Sequence, residues 1–305
     1  MVVQITAACD RSAGLWSKDA MGSVHSVYRN TINLLFRDQL WALQSSLSPL
    51  SPISLQTELS SSAMRALSVR PGDACALSGG DLLLFSDGEC CRFHPSFSKL
   101  TITRLPPVSG SPAQCAHAAA QLLRRTSAAL SSANRGGFSL LFTKRDLPCT
   151  DPILSIAQTA VQQSVHSCQA RDWSACAHSL LSLLGLGIGL TPSGDDFLCG
   201  FLAGLAWAGA WEHPLCVSLR RGISPHLSDT NVISAAFLRC AADGNFSVPL
   251  LQFLSAVHHP AALARAAEAL AQVGHSSGMD SLAGLHFSAM LMRNSLFFSR
   301  SCDPL

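Results

Sequence analysis

The stretch Pro106-Pro107-Val108-Ser109-Gly110-Ser111-Pro112 constrains the fold most, because the sequence changes texture across it. Before it, apolar residues come in short runs: Val24 to Phe36, Leu40 to Leu43, Ala74 to Leu77, Leu82 to Phe85, Cys90 to Phe93 and Leu100 to Leu105. Arg70-Pro71-Gly72-Asp73, Gly79-Gly80 and Ser86-Asp87-Gly88 separate several of them. Short strands broken by Gly, Asp and Pro predict hairpins in a compact sheet or barrel. After the stretch, Ala113 to Ala133 is rich in Ala, Leu and Gln, and Pro112 suits a first helical position. Gly136-Gly137 interrupts, and Phe138 to Phe142 reads as one last strand. Beyond Pro152 the pattern predicts helices over about 152–170, 172–184, 192–211, 213–221, 229–242, 246–256, 260–273 and 277–298. The predicted class is therefore α+β, with a small β-rich N-terminal domain (1–110), a linker, and a larger α-helical domain (111–305).

Composition narrows the function. With 48% hydrophobic and 13% charged residues the chain can bury a large core and is not disordered. The net charge is +2, Lys and Arg form no patch, and Tyr28 is the sole tyrosine, which argues against a nucleic-acid partner. The uncharged stretch Phe197 to Trp211 is 15 residues long. That is short of the ~20 a membrane span needs, so it reads as a buried helix. Met1 to Trp16 lacks the basic-then-apolar order of a signal peptide. The twelve cysteines include no C-x-x-C. Both features fit reduced thiols in a cytoplasmic protein, with no metal site assigned to the cysteines.

The densest signal is Gly185-Leu186-Gly187-Ile188-Gly189-Leu190-Thr191-Pro192-Ser193-Gly194-Asp195-Asp196-Phe197-Leu198-Cys199-Gly200. Alternate glycines give a loop that can adopt positive φ and let a ligand approach the backbone. A helix then starts, with Thr191 or Ser193 as its N-cap and Asp196 completing a Ser-x-x-Asp capping box. Its free N–H groups and dipole would face the loop and favour an anion. A second stretch, Ser277-Gly278-Met279-Asp280-Ser281-Leu282-Ala283-Gly284, matches Ser193 to Gly200 at five of eight positions, as Ser-Gly-x-Asp-x-Leu-x-Gly. Two helix starts converging on one site would bind phosphate or carboxylate without a cluster of Arg or Lys. Capping needs only one acid, so Asp195 is spare for chemistry. The candidate catalytic residues are Asp195, Asp196 and His275. Gly187, Gly189, Thr191, Ser193, Gly194, Thr230, Ser276, Ser277, Gly278 and Asp280 are the candidate substrate-binding residues.

Other residues carry weaker signals. His275 precedes Ser276-Ser277, where it would either transfer a proton to a bound ligand or bond a nearby carbonyl. Any of Ser228-Asp229-Thr230-Asn231 can open a helix. His258-His259 reads as a solvated loop, and Arg124-Arg125 and Arg220-Arg221 as exposed helix faces. Cys90 and Cys91 point to opposite faces of a strand and share no chemistry.

Gly-Leu-Thr-Pro-Ser-Gly-Asp-Asp-Phe-Leu-x-Gly (189–200) and Gly-His-Ser-Ser-Gly-x-Asp-x-Leu-x-Gly (274–284) resemble blocks of the AllH family. Asp229-Thr230-Asn231-Val232-Ile233-Ser234 resembles the family's intermediate block. The resemblance is carried by about 180–290; the Ser-rich 45–62 stretch sets the N-terminal third apart. It implies a partner-dependent subunit of oxamate carbamoyltransferase, an enzyme of allantoin and purine nitrogen catabolism. Such an enzyme joins carbamoyl phosphate to oxamate, or in reverse phosphorolyses oxalurate. That chemistry calls for a phosphate cradle, oxyanion donors and an aligned amide nucleophile. Helix starts at Ser193-Gly194 and Ser277-Gly278 would supply the first two, with Asp195 or Asp196 orienting the amide and His275 moving a proton. The expected partners are a small anionic substrate (carbamoyl phosphate, phosphate or an oxamate-like acid) and other subunits of a hetero-oligomer. No cofactor is assigned, and Mg²⁺ is the one candidate cation.

Two other readings fit the same residues. In one, the capped helices only build a bundle in a non-catalytic assembly subunit. In the other, Asp195, Asp196 and Asp229 are the oxygen ligands of a metal-dependent hydrolase.

Overall fold

Side-chain alternation builds the N-terminal unit. In β1 (Val2–Ala8), Val3 and Ile5 point inward, a bulge follows Ile5, and the inward face resumes at Ala8. Seven further strands follow: β2 (Ala20–Val27), β3 (Thr31–Phe36), β4 (Gln39–Gln44), β5 (Ser54–Thr57), β6 (Ala74–Ser78), β7 (Asp81–Ser86) and β8 (Glu89–Pro95). They close into a barrel in the order β1-β5-β4-β3-β2-β6-β7-β8. Parallel pairing of β8 with β1 shuts the ring, β4 with β5 is also parallel, and the other neighbours are antiparallel. Closure leaves no strand edge open to other chains. Ile5, Leu34, Leu43, Leu55, Leu82 and Phe93 fill the interior. A short helix, α1 (Ser61–Arg65), is capped by the Ser60 hydroxyl, which accepts from Ala63 N at 3.3 Å.

The computed structural model describes residues 1–97, 100–106, 108, 110–133, 136–143, 151–293 and 297–298. These form two compact units, Met1–Arg104 and Leu105–Leu305. The α+β expectation is corrected by this arrangement. The first unit is a closed eight-stranded barrel, and the described residues of the second contain helices and no strand. The last strand expected at Phe138 to Phe142 is instead a 3-10 turn, Gly137–Ser139, running into a short helix, α3 (Leu140–Thr143). Packing decides this: Phe138 and Phe142 lie against Phe197 at centroid distances of 5.9 and 6.5 Å. Leu100 to Leu105 is likewise not a strand: Thr101 makes an isolated bridge to Cys9, and Asp10 accepts from Thr103 N and Oγ1 at 3.0 and 2.6 Å.

The helical unit comprises α2 (Pro112–Ala133), α3, α4 (Pro152–Gln169), α5 (Trp173–Leu181), α6 (Ser193–Trp207), α7 (Pro214–Ile223), α8 (Val232–Ala242), α9 (Val248–Ser255), α10 (Pro260–Ala271) and α11 (Ser277–Met292). Asp151, Asp172 and Asn231 cap α4, α5 and α8 through their side chains. Parts of the predicted linker and of the 277–298 helix lie outside the described residues. At the centre, α6 and α11 are buried on nearly every face, as expected of helices without a polar stripe. Phe197 and Phe201 lie 5.9 and 5.8 Å from Phe287. Two expectations about arginines change. Arg125 Nε donates to Val257 O at 3.1 Å, and Arg220 lies 3.9 Å over the Trp211 ring while Nε donates to Ala242 O at 2.9 Å. Both are partly buried rather than exposed. Among the described residues no disulfide forms, and no helix is long and apolar enough to cross a membrane.

Candidate functional site

The repeated Ser-Gly-x-Asp-x-Leu-x-Gly motif places its last glycine about two turns into each helix, where there is no side chain to hold a neighbour away. A Cβ on Gly200 would collide with the Ser281 carbonyl, and one on Gly284 with the Phe197 carbonyl. Since 281 and 284 stand to 277 as 197 and 200 stand to 193, the contact is reciprocal. Helices α6 and α11 run parallel with both N-termini at the same end, because Thr191 reaches Ser277 at the starts and a Cβ on Gly204 would meet Ser288 further along. Gly204 continues the contact one turn on, where a Cβ would meet the Ser288 hydroxyl.

The same reciprocity governs the polar groups. The Ser277 and Thr191 hydroxyls bond Asp196, while the Ser193 and Ser276 hydroxyls lie close enough to Asp280 to favour its charged form. Each motif serine thus serves the acid of the other helix rather than capping its own. This corrects the expected capping boxes: neither α6 nor α11 has a side-chain cap, and Pro192 and Ser276 occupy the cap positions. Thr191 Oγ1 and Ser277 Oγ, 2.9 Å apart, tie the two starts together.

Many helix-start N–H groups are already taken. Gly194 N donates to Leu186 O at 2.8 Å, Asp195 N to Pro192 O at 2.9 Å, and Gly278 N to Val273 O at 3.1 Å. The open donors lie just before, in the loop. Among the described residues no backbone N–H from Gly187 to Thr191 makes a hydrogen bond. Gly187 and Gly189 hold φ of +136° and +108°, a region L side chains rarely adopt. Gly187 packs on Ser193 N, while Gly189 and Ile188 are exposed.

The three acids differ in environment. Asp195 is 1% exposed and fully engaged: Oδ1 accepts from Gly185 N at 2.7 Å, and Oδ2 from Thr230 Oγ1 at 2.5 Å and Ser234 Oγ at 2.6 Å. It is not spare, because it pins the loop and the start of α8 to α6. Asp280 is fully buried; its Oδ1 accepts from Phe138 N at 2.6 Å, but Oδ2 has no hydrogen-bond partner. Asp196 Oδ2 is likewise sealed and unpartnered. Burial pushes the Asp280 carboxyl up to about 6, with the N–H of Phe138 and the two hydroxyls acting against it. Burial also raises Asp196 well above the usual carboxylate range, and the Asp280 charge adds to this. The groups favouring the ionised forms are hydroxyls and one amide, with no Lys or Arg among them. One turn below, burial and then the Asp196 and Asp195 charges raise the Cys199 thiol above its ordinary range, which disfavours the thiolate.

His275 is exposed in the turn before Ser276 and makes no hydrogen bond among the described residues. Asp229 is exposed and pairs with His226 at 2.9 Å, so Asp195, Asp196 and Asp229 do not face one cation. Among the described residues no three His, Cys, Asp or Glu side chains group as metal ligands. Sequence reasoning missed Ser234 and Phe138, whose partners lie 39 and 142 residues away and leave no local pattern.

Residues 183–289, which span both motifs and the Thr230 segment, match the family described as oxamate carbamoyltransferase subunit AllH. Residues 5–97, nearly the whole barrel, match the N-terminal domain of the same family. The chain belongs to the AllH family. The second match extends the relationship across the N-terminal third, including the Ser-rich stretch from which the motifs alone transferred nothing. No solved structure matches this AllH chain.

Proposed function

We propose that this chain is the substrate-binding subunit of an oxamate carbamoyltransferase-type complex in allantoin-type nitrogen catabolism, and that the paired starts of α6 and α11 form its site. One observation carries the reading: two copies of one motif close reciprocally on each other beneath a loop whose N–H groups have no partners among the described residues. In this reading the N–H groups from Gly187 to Thr191 take the anionic end of the substrate, either the phosphate of carbamoyl phosphate or the carboxylate of oxamate. The Thr191, Ser193, Ser276 and Ser277 hydroxyls line the approach, with Gly194, Gly278 and Asp280 behind them. Asp195 and Thr230 are positioning residues that hold the loop against α8. In the transfer, the amide nitrogen bonds to the carbamoyl carbon, the carbon–oxygen bond to phosphate breaks, and one proton leaves the nitrogen. His275 stands at the rim to receive it.

The anionic substrate lacks a counter-charge here, and Ile188, Leu190 and Val232 leave apolar surface exposed beside the loop at 86%, 47% and 46%. A further subunit seated on this rim would bury that surface and bring basic side chains to the substrate. The test is calorimetric titration of carbamoyl phosphate, inorganic phosphate and oxamate into the chain, alone and with its co-purified subunits. Binding that is lost in Thr191→Val and Gly189→Val supports the reading. Binding and turnover by the complex that both variants leave unchanged overturn it.

A further inference from the structure

The charge at the two helix starts does not balance. Each helix N-terminus presents about half a positive charge, so the parallel pair α6 and α11 supplies roughly one unit. Asp196 and Asp280, both in the first turn, bring two negative charges when ionised. Among the described residues no Lys or Arg makes up the difference, and one oxygen of each carboxylate is sealed from solvent with no hydrogen-bond partner. Buried polar atoms are almost always satisfied, so two such oxygens on neighbouring acids call for an occupant. The side chains that bond the two acids do so through oxygen, the Thr191 and Ser277 hydroxyls on Asp196 and the Ser193 and Ser276 hydroxyls beside Asp280, while the Phe138 N–H takes the other Asp280 oxygen.

We propose that Asp196 and Asp280, with the Thr191, Ser193, Ser276 and Ser277 hydroxyls, hold a hard divalent cation such as Mg²⁺ between the starts of α6 and α11. A set of hydroxyl and carboxylate oxygens containing two carboxylates is the ligand chemistry such ions prefer. With only two charged ligands, water must complete the coordination and the affinity is modest, about 10⁻⁴–10⁻³ M. This places a positive charge at the base of the glycine loop, and it would polarise an anionic substrate held there. The cation stands on the carboxylates alone and does not need the transferase reading.

The experiment titrates Mn²⁺ into the purified full-length chain, followed by electron paramagnetic resonance, and Mg²⁺ as competitor. One site displaced by Mg²⁺ is expected. Asp196→Asn and Asp280→Asn should each weaken it about tenfold or more. Ser193→Ala and Ser277→Ala, which are less disruptive to the fold, should weaken it by a smaller factor. Asp229→Asn should leave it unchanged. No binding up to about 10 mM by a chain that melts cooperatively overturns the proposal, as does binding that survives both Asn variants. An Asn variant that raises the melting temperature of a wild-type chain indifferent to Mg²⁺ also overturns it, and assigns the pair a shared proton.

Discussion

Replacing Asp195 tests whether it is a structural clamp or a chemical group. Its two oxygens accept three hydrogen bonds, from Gly185 N, Thr230 Oγ1 and Ser234 Oγ. Bonds to a charged acceptor contribute about 1.5–3 kcal/mol each, and a buried donor left without a partner costs about 1–3 kcal/mol. In Asp195→Ala the Gly185 and Thr230 donors are partly exposed and regain water, whereas Ser234, 1% exposed, does not. Because the removed carboxylate no longer has to be desolvated, the terms do not simply add, and a net loss of about 3–5 kcal/mol is expected. For a unit of this size that lowers the melting temperature by roughly 10 °C. Asp195→Asn keeps the carbonyl for Gly185, and its NH₂ can donate to the Thr230 and Ser234 hydroxyls once they rotate. Its cost is the lost charge assistance, about 1–2 kcal/mol.

The assay is equilibrium unfolding of the full-length chain by circular dichroism for Asp195→Ala, Ser234→Ala and the double variant. The bond predicts a coupling energy of about 1.5–3 kcal/mol, since removing Ser234 costs little once its acceptor is gone. The complex with its co-purified subunits should keep most of its turnover with Asp195→Asn. A coupling near zero, or an Asp195→Ala chain as stable as wild type but inactive, refutes the clamp and makes Asp195 a catalytic residue.

Three further outcomes are expected. Gly200→Ala and Gly284→Ala each drive a methyl into the backbone of the facing helix and should leave little folded protein by melting analysis, whereas Gly189→Ala, with open space around it but φ of +108°, should cost about 1–3 kcal/mol. Burial lowers His286 from 6.5 to about 4, so the fold keeps it neutral while the unfolded chain takes a proton first; its contribution is intact above 6.5 and is lost as pH falls toward 4, by up to about 3 kcal/mol, and His286→Gln should flatten the fall in stability across that window. In iodoacetamide labelling read by mass spectrometry, exposed Cys90 should react well before Cys75 and Cys216, whose thiols burial pushes up to about 12; equal labelling of all three would show that the buried thiols open readily to solvent.

What the sequence disclosed follows from the range over which each rule acts. The turns Arg70-Pro71-Gly72-Asp73 and Ser86-Asp87-Gly88 and the short apolar run Leu82 to Phe85 between turns are local, and they announce strands without reference to anything distant. In contrast, β5 has Ser54 and Thr57 fully buried, each with a hydrogen bond to a residue outside the strand, so its hydropathy gives no sign of a barrel interior. The segment Phe138 to Phe142 has strand-like composition and is helical because Asp280 takes the Phe138 amide and the rings pack on α6.

The site divides in the same way. The repeat Ser-Gly-x-Asp-x-Leu-x-Gly is visible by inspection, and its terminal glycines do signal close helix contact. A capping rule, however, assigns each serine and acid to its own helix, because that is the only partner a sequence window contains. Had α6 and α11 packed antiparallel, that assignment could stand: each start would lie beside the other's end, where the opposed dipoles attract. Parallel packing puts two positive helix ends side by side, an arrangement that acids in both first turns offset. Asp196 and Asp280 thus answer to the relative direction of two helices whose starts are 84 residues apart in sequence. Their reciprocal serines, unpartnered oxygens and raised carboxyl groups follow from that direction, and no window shorter than both motifs together contains it.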